Sequence, residues 1–193
     1  MGDDALAPHL LLPDWPEPPG VVAAMSTRDG GVSAPPFDSL NLRPWQTPAA
    51  PGQALDDPAA VRENQRRLAA ALGVAPVYLH QVHGTAVWRL GAADRARGAD
   101  EPLPVADASI STEPGVACAV QVADCLPVLL AARDGRVVGA AHAGWRGLAG
   151  GVLERTVAAM CEASGLAPDA LQAWLGPCIG PQAFEVGADV LQA

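Results

Sequence analysis

The chain has 193 residues, half of them hydrophobic, and a formal net charge of −9. This length favours one well-buried core over two domains. The acidic charge disfavours a nucleic-acid surface, because clustered basic residues must neutralise phosphate groups, and no apolar run is long enough to span a membrane. All twelve basic residues are arginine, which excludes mechanisms that need a Schiff-base or P-loop lysine.

The cellular setting is indicated by the N-terminus and the cysteines. Residues 1–4 are acidic at Asp3 and Asp4 and lack the basic region of a secretory signal. The four cysteines form no CxxC pair, so we expect reduced thiols and no disulfide framework. A cytoplasmic protein is therefore expected.

The first third of the chain contains one well-marked helix. Residues 1–20 include five prolines and show no hydrophobic period, which predicts a lead-in outside the core. A first strand is predicted over 21–26, and a long proline-rich loop over 34–56. Asp57 as N-cap and Pro58 at the first helical position then predict a helix that ends at Gly73.

Short apolar runs dominate the rest of the chain and predict a substantial β-sheet system. The predicted strands cover residues 77–80, 85–90, 106–112, 115–122, 126–132, 137–142 and 171–175. The segment 91–104 is predicted to be a loop. A second helix is predicted over 147–164, ended by Gly165, and another begins near residues 184–187. The fold class is α+β in one domain.

Three side chains suggest a reactive centre. Cys125 begins one apolar run, His142 ends another, and His83 lies in a turn between two predicted strands, whereas His80 is interpreted as structural. Two imidazoles and one thiolate suit zinc, and three protein ligands leave the fourth tetrahedral position open, as in catalytic sites. The same residues also permit a nucleophilic Cys125 activated by His142, or a Cys125 that is only a small buried hydrophobe. The sequence pattern leaves these alternatives open.

Charged and polar side chains near these runs have two interpretations each. Asp124 could orient a histidine or act as a general acid or base, or it could be a turn carboxylate. Arg28 follows the first strand, and its spacing favours a solvated turn residue over a ligand contact, whereas Asn41 could face a ligand or form a turn. Arg146 lies in a run that opens a helix, where backbone N–H groups favour anions.

Seven short motifs occur in order along the chain. They are residues 27–33 (TRDGGVS), 39–42 (SLNL), 81–84 (QVHG), 106–108 (ADA), 123–128 (ADCLPV), 142–147 (HAGWRG) and 176–180 (GPCIG). In this order they resemble the YfiH family, also called the laccase-domain or polyphenol-oxidase-like family. The resemblance extends from about residue 21 to the end of the chain.

The resemblance implies a mixed α/β sandwich in which paired sheets are flanked by helices, with residues 21–193 as the catalytic domain. It implies one catalytic zinc ion held by His83, Cys125 and His142, with copper as an alternative ion. The implied enzyme is a cytoplasmic purine nucleoside phosphorylase, a glycosyltransferase acting on adenosine, inosine, guanosine and methylthioadenosine. Adenosine deaminase activity, a hydrolase reaction, accompanies it.

Residue roles are assigned on this basis. Catalytic roles are assigned to Asp124, Cys125 and His142, with Glu185 as a second candidate carboxylate for deamination. Substrate or phosphate contacts are assigned to Arg28, Asn41 and Arg146. The expected partners are a purine nucleoside and phosphate, without nucleic acid or membrane, and the expected state is a monomer or weak homodimer.

Some features of the chain limit what the resemblance implies. Four histidines are too few for a mononuclear copper site plus a trinuclear cluster, so we expect no multicopper centre. The loop from Arg43 to Asp56 is longer than is usual for the family, and the family's usual C-terminal segment is expected to be missing. Two alternative functions stay open: a cysteine hydrolase or peptidoglycan-editing enzyme that uses Cys125 and His142, and a non-catalytic zinc-binding module.

Overall fold

The computed structural model describes residue 6 and residues 9–49, 51–97 and 101–191. The acidic residues 1–4 and the last two residues lie outside this part of the chain. The strands are β1 (Leu10–Leu11), β2 (Met25–Ser26), β3 (Pro76–Val77), β4 (Val87–Leu90), β5 (Ala108–Ser111), β6 (Ala117–Cys118), β7 (Leu126–Ala132), β8 (Val138–Ala143) and β9 (Leu171–Leu175). The α-helices are α1 (Pro58–Leu72), α2 (Trp145–Ala149), α3 (Val152–Ser164) and α4 (Ala188–Leu191).

A five-stranded sheet in the order β4-β5-β8-β7-β9 forms the centre of the fold. Strands β4 and β5 are parallel, and the other neighbours are antiparallel. Helix α3 packs on β5 and β8, and the buried Met160 and Val152 on this helix join Ile110 and Val128 in the core. Two small sheets, β1-β2 and β3-β6, lie outside it. The predicted α+β class, a mixed α/β single domain, is confirmed.

Helix α1 has the ends that its sequence predicts. The Asp57 side chain accepts a hydrogen bond from the N–H of Ala59, which satisfies one of the unpaired donors of the first turn. Gly73 ends the helix in the left-handed conformation, with φ of 70°. No helix in the described part of the chain combines the length and apolarity that crossing a membrane requires.

Several predicted boundaries are wrong. The single helix predicted over 147–164 is two helices, because Gly151 adopts φ of 89°, a left-handed conformation that interrupts helical hydrogen bonding and that glycine adopts at little cost. The strand predicted over 115–122 is reduced to β6, and the one over 21–26 to β2. Residues 119–123 line an open groove instead of joining a ladder. Part of the predicted loop 91–104 is a 3₁₀ helix, Ala92–Ala96.

The lead-in also contributes to the packed structure. Strand β1 pairs with β2, with Leu10 opposite Ser26. Leu6 is buried in a cluster with Leu40 and Leu68. The proline content of this segment did not reveal either contact.

Candidate metal centre

Three separate segments bring His83, Cys125 and His142 together. His142 lies on β8, and Cys125 directly precedes β7. Because β7 and β8 are antiparallel with Leu126 opposite Ala143, Cys125 comes opposite Gly144, two positions beyond His142. The potential ligand atoms of the three residues all lie within 4.8 Å of one another. Cys125 Sγ lies 3.8 Å from His83 Nε2, and the two imidazole rings meet edge to face.

The absence of a side chain at Gly144 leaves room for His83 and Cys125 to approach each other. A Cβ atom at this position would lie 2.8 Å from His83 Cδ2 and 2.9 Å from Cys125 Sγ. Contacts this short do not occur in well-packed proteins, and both atoms belong to candidate ligands. The motif residue Gly144 is therefore required by the close approach of His83 and Cys125, since its own φ of −62° is open to any residue.

His83 has an unusual backbone. Its φ is 61°, in the left-handed region that non-glycine residues rarely occupy and that is enriched at functional sites. The side chain is exposed, whereas His142 is only 3% exposed. The loop is held against the start of α2, where a Cβ on Gly147 would lie 2.9 Å from the carbonyl oxygen of Gly84. One ligand is therefore part of the sheet, and another is presented from a constrained loop.

Asp107 is the residue that orients His142. It directly precedes the neighbouring strand β5 and lies opposite His142, and its carbonyl accepts the His142 N–H at 2.7 Å. Its Oδ1 lies 2.9 Å from His142 Nδ1, and its side chain is fully buried. The sequence suggested Asp124 as the carboxylate that orients a histidine, but Asp124 is exposed, and the partner of His142 is Asp107 instead. The signal in the sequence was an acidic residue within an apolar strand motif, ADA at 106–108.

The pKa values of the residues at the centre depend on burial and on their close contacts. Burial raises the pKa of Asp107, but the hydrogen bonds from His142 and from the backbone N–H groups of Gly84, Val82 and His83 outweigh it and leave the pKa lowered. Partial desolvation beside the neighbouring residues and the charge of His142 lower the pKa of His83. Burial and the charges of Asp124 and Asp107 raise the pKa of Cys125. A cation bound between His83 and Cys125 would oppose the rise in the pKa of the Cys125 thiol.

The centre opens into a large groove of about 1680 Å³. Its lining includes His83, Cys125 and His142 together with three further predicted site residues, Arg28, Asn41 and Asp124. Arg146 and Glu185 are not among the described residues that line it. The structure thus brings most of the predicted site residues to one surface.

Arg28, Asn41 and Arg146 all have contacts within the protein. The Arg28 guanidinium donates to the backbone carbonyl of Asp38 and lies 3.3 Å from its carboxylate. Asn41 Nδ2 donates to Asp56 at 2.9 Å, and Asn41 Oδ1 accepts from the N–H of Arg43. The Arg146 guanidinium lies 4.1 Å from the centre of the Trp145 ring, and its charge contributes to the lowered pKa of His83. The predicted ligand contacts of these three residues stay predictions.

The three central residues fit a metal ion. Two imidazole nitrogens and one thiolate are a donor set that proteins use for zinc and for copper. The Asp107–His142 contact is the outer hydrogen bond that metal-binding histidines generally make. Together with the space left by Gly144, this makes the His–Cys–His group a candidate metal centre.

Comparison with known proteins places the chain in a family. The family described as multi-copper polyphenol oxidoreductase laccase matches residues 22–193. The chain belongs to this family. The resemblance to YfiH proteins expected from the seven motifs is confirmed.

Relatives in this family include purine nucleoside phosphorylases. The chain is 50% identical over 186 residues to purine nucleoside phosphorylase YfiH of Escherichia coli K12, covering 95% of this chain and 69% of the relative. It is 51% identical over 183 residues to a purine nucleoside phosphorylase of Pseudomonas aeruginosa, covering 95% of this chain and 67% of the relative.

Solved structures of similar chains have the same fold. YlmD of Geobacillus stearothermophilus superposes with a TM-score of 0.83 at 34% identity, covering 96% of this chain and 68% of that one. A Neisseria meningitidis protein gives a TM-score of 0.81 at 45% identity, covering 95% of this chain and 69% of that one.

Proposed function

We propose that this protein is a zinc-dependent purine nucleoside phosphorylase that also deaminates adenosine. The observation that carries the proposal is the His83–Cys125–His142 group at the edge of a groove large enough for a nucleoside and phosphate. Relatives about half identical to this chain bear the name purine nucleoside phosphorylase, which supports the choice of reaction.

Phosphorolysis is the transfer of the ribosyl group from the purine to phosphate. The bond between the anomeric carbon and the purine nitrogen breaks, a phosphate oxygen bonds to that carbon, and the purine leaves with a proton. In the absence of lysine, the phosphate dianion would be held by arginine. Arg28 lines the groove and is proposed for this contact, with its guanidinium turning from Asp38 toward the ligand. Arg146, whose charge acts on His83, is proposed as the second cation.

The metal would be held by His83, Cys125 and His142, with zinc as the proposed ion. When bound, zinc would supply Lewis-acid polarisation beside the departing base or the carbon under attack. Asp124 is proposed to move the proton in both reactions, because it is an exposed carboxylate on the groove next to Cys125. Asn41 is proposed to bind the nucleoside, which requires its amide to exchange one of its present partners.

The proposal also covers the partners, location and oligomeric state of the protein. The small-molecule partners would be a purine nucleoside and phosphate, and the location would be cytoplasmic. A monomer or weak homodimer is proposed. Residues 21–193 are proposed as the catalytic domain.

The electrostatics of the site do not favour the cysteine-hydrolase alternative. A nucleophilic cysteine needs a neighbouring base and a lowered pKa, whereas the pKa of Cys125 is raised. The two hypotheses differ in a simple test. Chelation abolishes the activity of a zinc enzyme and leaves a cysteine hydrolase active.

The function is tested by incubating the zinc-loaded protein with adenosine, with and without phosphate, and separating the products by chromatography. We expect adenine and ribose 1-phosphate only when phosphate is present, and inosine without it. His83→Ala should lose both activities, because it removes one exposed ligand from a loop. His80→Ala is the matched control and should keep them. If the zinc-loaded protein converts neither adenosine, inosine nor methylthioadenosine, the proposal is wrong.

A further inference from the structure

Four hydrogen bonds converge on the carboxylate of Asp107. Oδ1 accepts from the N–H of His83 at 2.8 Å and pairs with His142 Nδ1 at 2.9 Å. Oδ2 accepts from the N–H of Gly84 at 2.7 Å and from that of Val82 at 3.2 Å. The side chain is completely buried, so these four partners replace the water that an ionised carboxylate would otherwise bind.

The contact with His142 determines which ring nitrogen can bind a metal. An ionised carboxylate only accepts hydrogen bonds, so the Nδ1 that faces Asp107 must carry the proton. The lone pair of His142 is then on Nε2. The tautomer is therefore set by Asp107, which directly precedes the neighbouring strand β5.

The contacts with residues 82–84 determine where His83 lies. The N–H groups of three successive residues point at one carboxylate, which requires a tight turn of the backbone. This turn includes the φ of 61° at His83, a left-handed conformation that is unfavourable for an L-residue. The hydrogen bonds to Asp107 offset that cost. They hold His83 beside Cys125.

We propose that Asp107 is a positioning residue that fixes both histidines of the metal centre, by setting the tautomer of His142 and the backbone of His83. This inference rests on the proposed function, because the two histidines are the proposed metal ligands. Its consequence is that a single buried carboxylate couples a ligand on the sheet to a ligand on a loop 59 positions earlier. Neither histidine is placed independently of the other.

Asparagine has almost the shape of aspartate but cannot replace it here. If its amide oxygen takes the place of Oδ1, its NH₂ group faces the N–H groups of Val82 and Gly84, and donors oppose donors. If the oxygen takes the place of Oδ2, the NH₂ group faces the N–H of His83 and forces His142 Nδ1 to become an acceptor. The proton of His142 then moves to Nε2, where it blocks the metal.

The test compares Asp107→Asn with Asp134→Asn. Asp134 is an acid that accepts from the N–H of Arg136 and pairs with its guanidinium, but on an exposed turn. Zinc affinity is measured by competition with a chromophoric chelator, on samples whose circular dichroism shows folded protein. We expect zinc binding of Asp107→Asn to weaken by about tenfold to a hundredfold, and that of Asp134→Asn to be unchanged. A folded Asp107→Asn protein that binds zinc within twofold of the wild type would overturn the proposal.

A second measurement uses the wild-type chain and does not depend on the variant folding. Nitrogen-15 spectra of the histidine rings in metal-free protein report the tautomer of each ring, and His142→Gln identifies the signals of His142. We expect protonated Nδ1 and unprotonated Nε2 in His142. The opposite tautomer would overturn the proposal. If the wild type binds no zinc, the proposed function fails, and the tautomer still decides what Asp107 does to His142.

Discussion

The side chain of Gln81 binds the backbone of Gln121 as a neighbouring strand would. Gln81 Nε2 donates to the Gln121 carbonyl at 2.7 Å, and Gln81 Oε1 accepts from the Gln121 N–H at 2.7 Å. Gln81 lies two positions before His83, and Gln121 lies four before Cys125. The loop that carries His83 is thereby attached to the segment that carries Cys125, as Asp107 attaches it to β8.

Replacing Gln81 with alanine should loosen this attachment. Both hydrogen bonds are lost, each worth about 1 kcal/mol, and the backbone groups of Gln121 lose their partner. We expect zinc binding to weaken by about 3- to 10-fold, because the loop that carries His83 is held less firmly. Chelator competition measures the affinity. Gln182→Ala, on an exposed turn, is the control, and equal affinities for the two variants would argue against the link.

Adding a single methyl group at Gly144 should disrupt the candidate centre. The alanine Cβ would meet His83 and Cys125 at less than 3 Å, so these two residues must move apart. We expect Gly144→Ala to lose most of its zinc, measured by elemental analysis of purified protein. Gly91→Ala is the matched control, since no atom lies within 4 Å of a Cβ there, and it should keep about one zinc per chain. Normal zinc content in Gly144→Ala would refute this placement of the ligands.

Asn64 should be important for stability, because it connects helix α1 to the loop that carries Asn41. Its Nδ2 donates to Ser33 Oγ and to the carbonyls of Ser39 and Asn41, its Oδ1 accepts from the N–H of Val32, and it is fully buried. Replacing it with aspartate keeps the shape but sets an oxygen against those carbonyls. We expect the free energy of unfolding to fall by about 2–4 kcal/mol in urea titrations.

The neighbouring residue Gln65 provides a control for that measurement. Its Nε2 makes one hydrogen bond, to the carbonyl of Leu42, from a partly exposed position. Gln65→Glu should therefore cost about 1 kcal/mol or less. Equal losses for the two variants would show that the network around Asn64 has no special role.

Alkylation of Cys125 should depend on pH and on metal. Only the thiolate reacts, and because the pKa of this thiol is raised, its thiolate fraction at pH 8 is smaller than that of an ordinary cysteine. In metal-free protein, we expect the rate with iodoacetamide to be lower than that of free cysteine and to keep rising as pH increases through the shifted pKa. Bound zinc should protect the thiolate almost completely.

Mass spectrometry of peptides separates Cys125 from Cys178, which is exposed. Cys125→Ser shows the background labelling of the remaining cysteines. Rapid labelling of Cys125 near neutral pH in metal-free protein would instead indicate an activated nucleophile, and would favour the cysteine-hydrolase alternative.

Features that depend on short-range chemistry were predictable from the amino-acid sequence alone. Asp57, Pro58 and Gly73 fixed the ends of α1, because capping and left-handed termination involve residues within one helical turn. The apolar run at 126–132 predicted the bounds of β7, because a short run of buried hydrophobic residues is itself a local pattern. The seven motifs indicated the family and singled out His83, Cys125 and His142. Their order along the chain can be recognised without knowing any distance between residues.

The groups that position those three residues became evident only from the three-dimensional fold. Three of these groups belong to the motifs, namely Asp107, Gln81 and Gly144, but the motifs do not show their roles. The roles of Asp107 and Gln81 depend on partners that are distant in the chain, and that of Gly144 depends on the space beside His83 and Cys125. A hydrogen bond such as Asp107–His142, over 35 positions, exists because β5 and β8 pair in one register, and a slip of one residue would turn the carboxylate to the other face of the sheet. Register is set by the packing of the whole core, so no local pattern encodes it.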